Sequence, residues 1–285
     1  MRFVYPVRAI IVALIAVVVC TAPTMGEDVA FPPDQHPWGH FPVGSWKRVR
    51  TTAESLDDKG QVTSVTITDT KTTLVAADDS TYTLHTDATV DVASRRITTA
   101  PQTARHGYYG ETPGQLLAAK RTGDSSLTID GRTIPCEVRQ IVLTGDSGKL
   151  ISTIYYTSQF PPFVLRRETG VEGAAEEKRN STLVEVVALD LPQRVRGELK
   201  QASYVKTTQK LPQGSKVTLE VQCDEVPGGV AAHWASETET GGRIVRRSTL
   251  ELIDYGVPSP MGQTQPGLLR RPVRPGKAAR RMDLR

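Results

Sequence analysis

The sequence predicts an all-β, antiparallel fold: one strongly curved sheet or half-barrel carrying an internal strand-turn-strand repeat and one short helix. Three observations predict it. A stretch of 34 residues, 131–164, recurs without a gap 66 positions later, with Gly131 matching Gly197, Gly148 matching Gly214, Pro161 matching Pro227 and Val164 matching Val230. The surviving identities are turn glycines and a loop proline, the positions that backbone geometry constrains most. Residues 80–92 alternate, with Tyr82, Leu84, Thr86, Ala88, Val90 and Val92 on one face and Thr81, Thr83, His85, Asp87, Thr89 and Asp91 on the other, which is the period of a half-buried strand. Turn clusters such as Asp57-Asp58-Lys59-Gly60 and Ala77-Asp78-Asp79-Ser80 punctuate the chain at strand-length intervals.

Taken in order, the chain opens with Arg2 and Arg8, an apolar run from Ala9 to Cys20, and small or polar residues before Glu27. That is the layout of a secretory signal peptide over residues 1–26, cut after Gly26, and the run is too short to span a bilayer. The protein is therefore expected to be exported, periplasmic or associated with the cell envelope. A lipid anchor at Cys20 is the lesser reading, because Val19 stands where a lipobox has Gly, Ala or Ser. Residues 27–44 are a Pro-rich, aperiodic lead-in expected on the surface. Strands follow at 45–54, 61–75 and 80–92, then a connection over 93–111.

The helix is expected next. Thr112 would cap it with Gln115 reciprocating, Pro113 suits its first turn, Lys120 and Arg121 its last, and Gly123 its end. Leu116, Leu117 and Ala119 would seal one opening of a barrel. The first copy of the repeat then reads as a hairpin of strands 132–144 and 149–158. Pairing about its turn sets Cys136 opposite Thr157, Val138 opposite Tyr155 and Val142 opposite Ile151; the second copy sets Ala202 opposite Cys223, Tyr204 opposite Val221 and Thr208 opposite Val217. Further strands are expected near 163–169 and 180–189, and the second copy ends near Tyr255. This gives a half-barrel-like unit over 45–190 and a shorter β repeat packed on it over 191–257, as one domain or two.

Charge is distributed unevenly. The net charge is +4, yet residues 258–285 hold seven basic groups against one acidic, and residues 27–257 hold 26 basic against 30 acidic. No nucleic-acid-binding surface follows for the folded part. The Pro-rich basic tail, 258–285, has no apolar period, so it reads as a disordered extension or as a tether to an anionic surface. Cys136 and Cys223, the cysteines of the mature chain, occupy different strands of their hairpins. Neither faces a cysteine in its own unit, so both are expected as buried thiols.

No catalytic constellation emerges. Gly145-Asp146-Ser147-Gly148 looks like a protease nucleophile segment, but the repeat aligns it with Leu211-Pro212-Gln213-Gly214, a hairpin turn. Ser203-Tyr204-Val205-Lys206 fits a Ser-x-x-Lys pattern whose chemistry needs the serine at the start of a helix, and it lies on a strand. His36 and His40 are closely spaced in a Pro-rich loop and lack a third strong ligand, so neither a metal nor a cofactor is expected. Phe160-Pro161-Pro162-Phe163 and its counterpart Val226-Pro227-Gly228-Gly229 have two readings. The favoured one is a rigid crossover carrying aromatics into the core; the other is an apolar lip, formed by Phe160, Phe163 and Val226, at the mouth of a half-barrel.

Gly44-Ser45-Trp46 opening a long β run, Gly131 followed by Ile134-Pro135-Cys136, and Tyr155-Tyr156-Thr157-Ser158 leading into Phe160-Pro161-Pro162-Phe163-Val164 resemble exported bacterial proteins. Those proteins are in turn similar to the lipoprotein-carrier half-barrel superfamily. The resemblance implies a curved antiparallel sheet with a helical plug that holds a lipid chain or another apolar ligand, and it transfers no binding residue. The expected function is a non-catalytic envelope protein binding a lipid, lipoprotein or other apolar partner on a concave sheet. The alternative is a structural or interaction protein of the envelope with no ligand cavity, tethered by its basic tail.

Overall fold

The structure is a computed structural model, and it describes residues 31–93, 95–145, 148–173 and 180–258. The leader, most of the tail and the centre of the Gly145–Gly148 turn lie outside the described residues, and so does Asn180's upstream neighbour segment 174–179. Within them the chain forms β1 (Trp46–Leu56), β2 (Val62–Ala77), β3 (Thr81–Val92), β4 (Arg95–Thr98), β5 (Gln102–Gly107), β6 (Leu116–Ile129) and β7 (Arg132–Gly145). It continues with β8 (Gly148–Tyr156), β9 (Val164–Val171), β10 (Ser181–Val195), β11 (Glu198–Leu211), β12 (Gly214–Gln222), β13 (Val230–Glu239) and β14 (Ile244–Gly256).

All the strands belong to one antiparallel sheet of 14 strands in the order β4-β3-β2-β1-β14-β13-β12-β11-β10-β9-β8-β7-β6, with β5 beside β4 on the edge of β3. From β6 to β14 the path is an uninterrupted meander, and β1 closes the chain onto itself by pairing with β14. The sheet curls without closing. Its curl is visible where Leu127 of β6 packs beside Val186 and Leu189 of β10. The Leu189 amide donates to Asp130 Oδ2 at 2.9 Å, and Arg132 pairs with Asp190 at 2.8 Å. The junction between residues 190 and 191 lies within β10, at a register shift between Ala188 and Leu191.

The hairpin registers follow the expectation. Val138 pairs with Tyr155 and Val142 with Ile151; Tyr204 pairs with Val221 and Thr208 with Val217. Strand bounds also recur at the offset of 66, since β7, β8 and β9 start at 132, 148 and 164 while β11, β12 and β13 start at 198, 214 and 230. The shared turn glycines explain this. Gly131, Gly148, Gly197 and Gly214 all hold positive φ, which a side chain opposes. Cys136 and Cys223 are free and buried in separate clusters, Cys136 with Ile134 and Leu165, Cys223 with Val195 and Val226.

Two expectations are corrected. Residues 112–123 form no helix. The Thr112 amide does donate to Gln115 Oε1 at 2.9 Å, as a capping box would have it. The exchange closes only a single turn, however: Gly114 sits at φ +90°, and Leu116–Ile129 then pair along the whole of β7. Fourteen residues of ladder against a buried neighbour outweigh the local helix preference of Leu-Leu-Ala-Ala. Nor does the described part of the lead-in lie wholly on the surface. From residue 31 it crosses the sheet as a strap, with Phe31 and Trp38 each 7% exposed.

Candidate functional site: a chamber under the strap

Directly opposed residues of an antiparallel pair share a face of the sheet. Arg139, Ile154, Arg167, Val184 and Thr207 stand opposite one another in succession across β7 to β11, so they form one row of the inner face. Ile141, Ile154 and Leu165, on the same face, are at most 1% exposed. Over this row lies the strap. Phe31 meets Tyr109 and Tyr156 edge-on with ring centroids 5.3 and 5.2 Å away. The Tyr156 hydroxyl donates to Gln35 Oε1. His36 sits against Tyr82 at 4.7 Å and Tyr108 at 5.0 Å.

The strap is pinned on the second side by the loop after β12. The Gly228 amide donates to Pro37 O at 2.8 Å, and a Cβ on Gly228 would come within 2.6 Å of the Trp38 ring. That contact gives the second glycine-proline loop a reason for its composition. Lys47 Nζ donates to Gly228 O at 3.3 Å and lies over the Trp38 ring at 5.6 Å. Burial pulls its ammonium down to about 8, with Glu220 acting in the opposite sense.

Between strap, sheet and loops is a chamber of about 510 Å³, within the range of roughly 300–1,000 Å³ that small-molecule sites occupy. Its walls are mainly aromatic and aliphatic: Phe31, Tyr108, Tyr109, Phe160, Phe163 and Ile154. Thus Phe160 and Phe163 of the expected lip do line it, and each also packs on a core cluster, Phe163 beside Tyr156 and Phe160 beside Leu165. Val226 does not line it: fully buried with Val195, Cys223 and Ala231, it belongs to the core.

The polar groups of the chamber are few. Asp190, Asp224 and Glu225 stand at its rim, where Asp190 pairs with Arg132, Glu225 with Lys200, and Asp224 approaches His40 Nε2 at 3.8 Å. His36 is neutral: its Nδ1 accepts from the Trp38 amide at 3.2 Å, and burial, aided by His40 and His106, lowers its pKa to about 4. Arg167 lies in the chamber wall with Nη2 donating to Tyr109 O at 3.1 Å and Ser152 Oγ at 3.3 Å. Desolvation lowers its pKa, and Glu111 opposes that shift without forming an ion pair.

Among the described residues no group of three or more His, Cys, Asp and Glu is placed to hold a metal ion, and no helix is long and apolar enough to cross a membrane. The Ser-x-x-Lys residues lie on β11.

Sequence reasoning missed Arg167 and the Tyr108-Tyr109 pair, and it weighed His36 only as a metal ligand. One signal was available for the first. Arg166 and Arg167 are adjacent in a strand, and adjacent strand residues face opposite ways, so one guanidinium had to point inward. Arg166 takes the outer face, pairing with Glu168 at 2.8 Å and lying over Tyr155.

No protein family and no curated protein matches the sequence. Among solved structures the chain is similar to a provisionally named lipoprotein from Parabacteroides distasonis, with TM-score 0.32 and 9% identity over 75% of this chain and 96% of that one. It is also similar to a provisionally named exported protein with a YmcC-like fold from Bacteroides fragilis, with TM-score 0.30 and 10% identity over 76% and 98% of the two chains.

Proposed function

We propose that the protein is an exported, non-catalytic component of the cell envelope that holds the apolar part of a lipid, lipoprotein or similar amphiphile in the chamber between strap and sheet. The observation that carries this reading is the chamber itself, about 510 Å³ of space walled by aromatic rings. Native interiors leave few voids larger than a water molecule, so an apolar space of this size is a site for an apolar guest. Export rests on the charge and apolar layout of residues 1–26, and sequencing the mature N-terminus, expected at or within a few positions of Glu27, tests it.

Mass spectrometry of protein purified from its host without detergent tests the binding. Wild type is expected to carry apolar adducts that dissociate on denaturation. Ala202, buried at the chamber wall, provides the control: Ala202→Trp fills the space and should remove the adducts while the protein stays folded. A bare wild-type protein, unchanged by incubation with acyl lipids, overturns the reading in favour of an interaction protein that acts through its surfaces.

A further inference from the structure

Of the chamber's charged groups Asp190 and Glu225 are held in ion pairs with strong bases, and among the described residues Arg167 is held in none. Asp190 pairs with Arg132 and Glu225 with Lys200, while Asp224 lies 3.8 Å from His40 Nε2. Arg139, the other arginine of the inner row, is 6% exposed and held by Glu137 at 2.9 Å, with Tyr156 under its guanidinium at 3.9 Å. Arg167 forms no ion pair among the described residues. Its Nη2 is committed to two neutral acceptors, a carbonyl and a hydroxyl, while its Nε and Nη1 donate to no described group. It stands between Ile154 and Val184, its two apolar neighbours on the inner row.

A half-buried cation whose nearest counter-charge, Glu111, acts on it without an ion pair is incompletely compensated, and guanidinium is the side chain best shaped to take a carboxylate or phosphate. The hydrogen bonds to Tyr109 O and Ser152 Oγ fix the guanidinium in place, so a bound anion would meet a group already oriented. We infer that Arg167 is the head-group anchor of the chamber and that the ligand is an anionic amphiphile: one acyl chain against the aromatic wall, and a carboxylate or phosphate head on the free donors of Arg167. The inference rests on the chamber being a ligand site, and it names the ligand class.

Calorimetric titration of the full mature protein with dodecanoate, dodecyl phosphate and dodecanol, which share a chain and differ in head, tests it. Wild type is expected to bind one or both anions about tenfold to a hundredfold more tightly than the alcohol, the range for a charge-assisted hydrogen bond. The stronger of the two anions identifies the head. In Arg167→Gln the preference should vanish while dodecanol affinity is kept, and Arg167→Lys, which keeps the charge, should retain part of it. Equal binding of alcohol and anions by wild type overturns the anchor and leaves the apolar site standing. Binding of none of the three overturns both. The wild-type comparison decides the matter even if a variant fails to fold.

Discussion

The strands β7–β10 and β11–β14 share turn positions and, for three of the four strands, starts displaced by 66, yet their inner faces are unlike. Where the first run places Ile141, Ile154 and Leu165, the second places Thr207, Glu220 and Ala231. The first three are at most 1% exposed, whereas Thr207 and Glu220 are half-buried. Arg167 corresponds to His233 and Arg139 to Val205. Turn glycines therefore set where strands begin and end, and the residues between them decide what each face does. In the first run the apolar residues build a wall with two embedded cations. In the second, small and polar residues leave room for the strap, where Trp38 and Lys47 are seated.

Exchanging residues between the two runs is the most direct way to break that comparison. Ile154→Glu, which installs the residue of the second run, buries a carboxylate against the core and is expected to cost more than about 4 kcal/mol or to prevent folding, as read by urea denaturation. Leu165→Ala makes the same exchange without charge. It should cost about 2–5 kcal/mol from lost contacts and the cavity left behind. A loss below about 1 kcal/mol would mean that the first wall is as loosely packed as the second.

A smaller effect concerns the strap's hold, through His36, on Tyr82 and Tyr108 beside the first run. The folded pKa lies near 4 against 6.5 for the unfolded chain, because burial disfavours the imidazolium and Nδ1 is occupied as an acceptor. The unfolded chain therefore binds more protons between those values. The stability from burying the neutral ring is complete above pH 6.5 and is lost as pH falls toward 4, by at most about 3 kcal/mol. His36→Gln should flatten this part of the urea-midpoint profile relative to wild type. His233, also lowered by burial, contributes to both proteins alike. Parallel profiles would place the strap's attachment elsewhere.

Legibility in the sequence tracked the range of the forces involved. The hairpin registers were readable because glycine turns and alternation are local, and the pairs Val138–Tyr155 and Tyr204–Val221 followed from them. Residues 112–123 misled because their capping exchange is also local and is made, while the ladder with β7 that decides their fate is not encoded within them. The strap was invisible for a related reason: Phe31, His36 and Trp38 have no period, and their burial depends on Tyr109, Tyr82 and Gly228, each distant in sequence. Phe160 and Phe163 were found as a candidate lip, because an apolar pair bracketing two prolines is conspicuous. Alternation shows that one of Arg166 and Arg167 faces inward, but which one depends on the ladder with Ile154 and Val184.

In the proposed function the ligand lies between the strap and the wall formed by β8–β11, and not against β13 and β14. Photo-crosslinking with a dodecanoate analogue carrying a diazirine at the chain end, followed by peptide mapping, tests it most directly. Label is expected in peptides spanning Tyr108–Tyr109, Ile154–Arg167 and Gln201–Val205, and it should be competed by unmodified dodecanoate. Label confined to β13 and β14, or insensitive to competition, would contradict it.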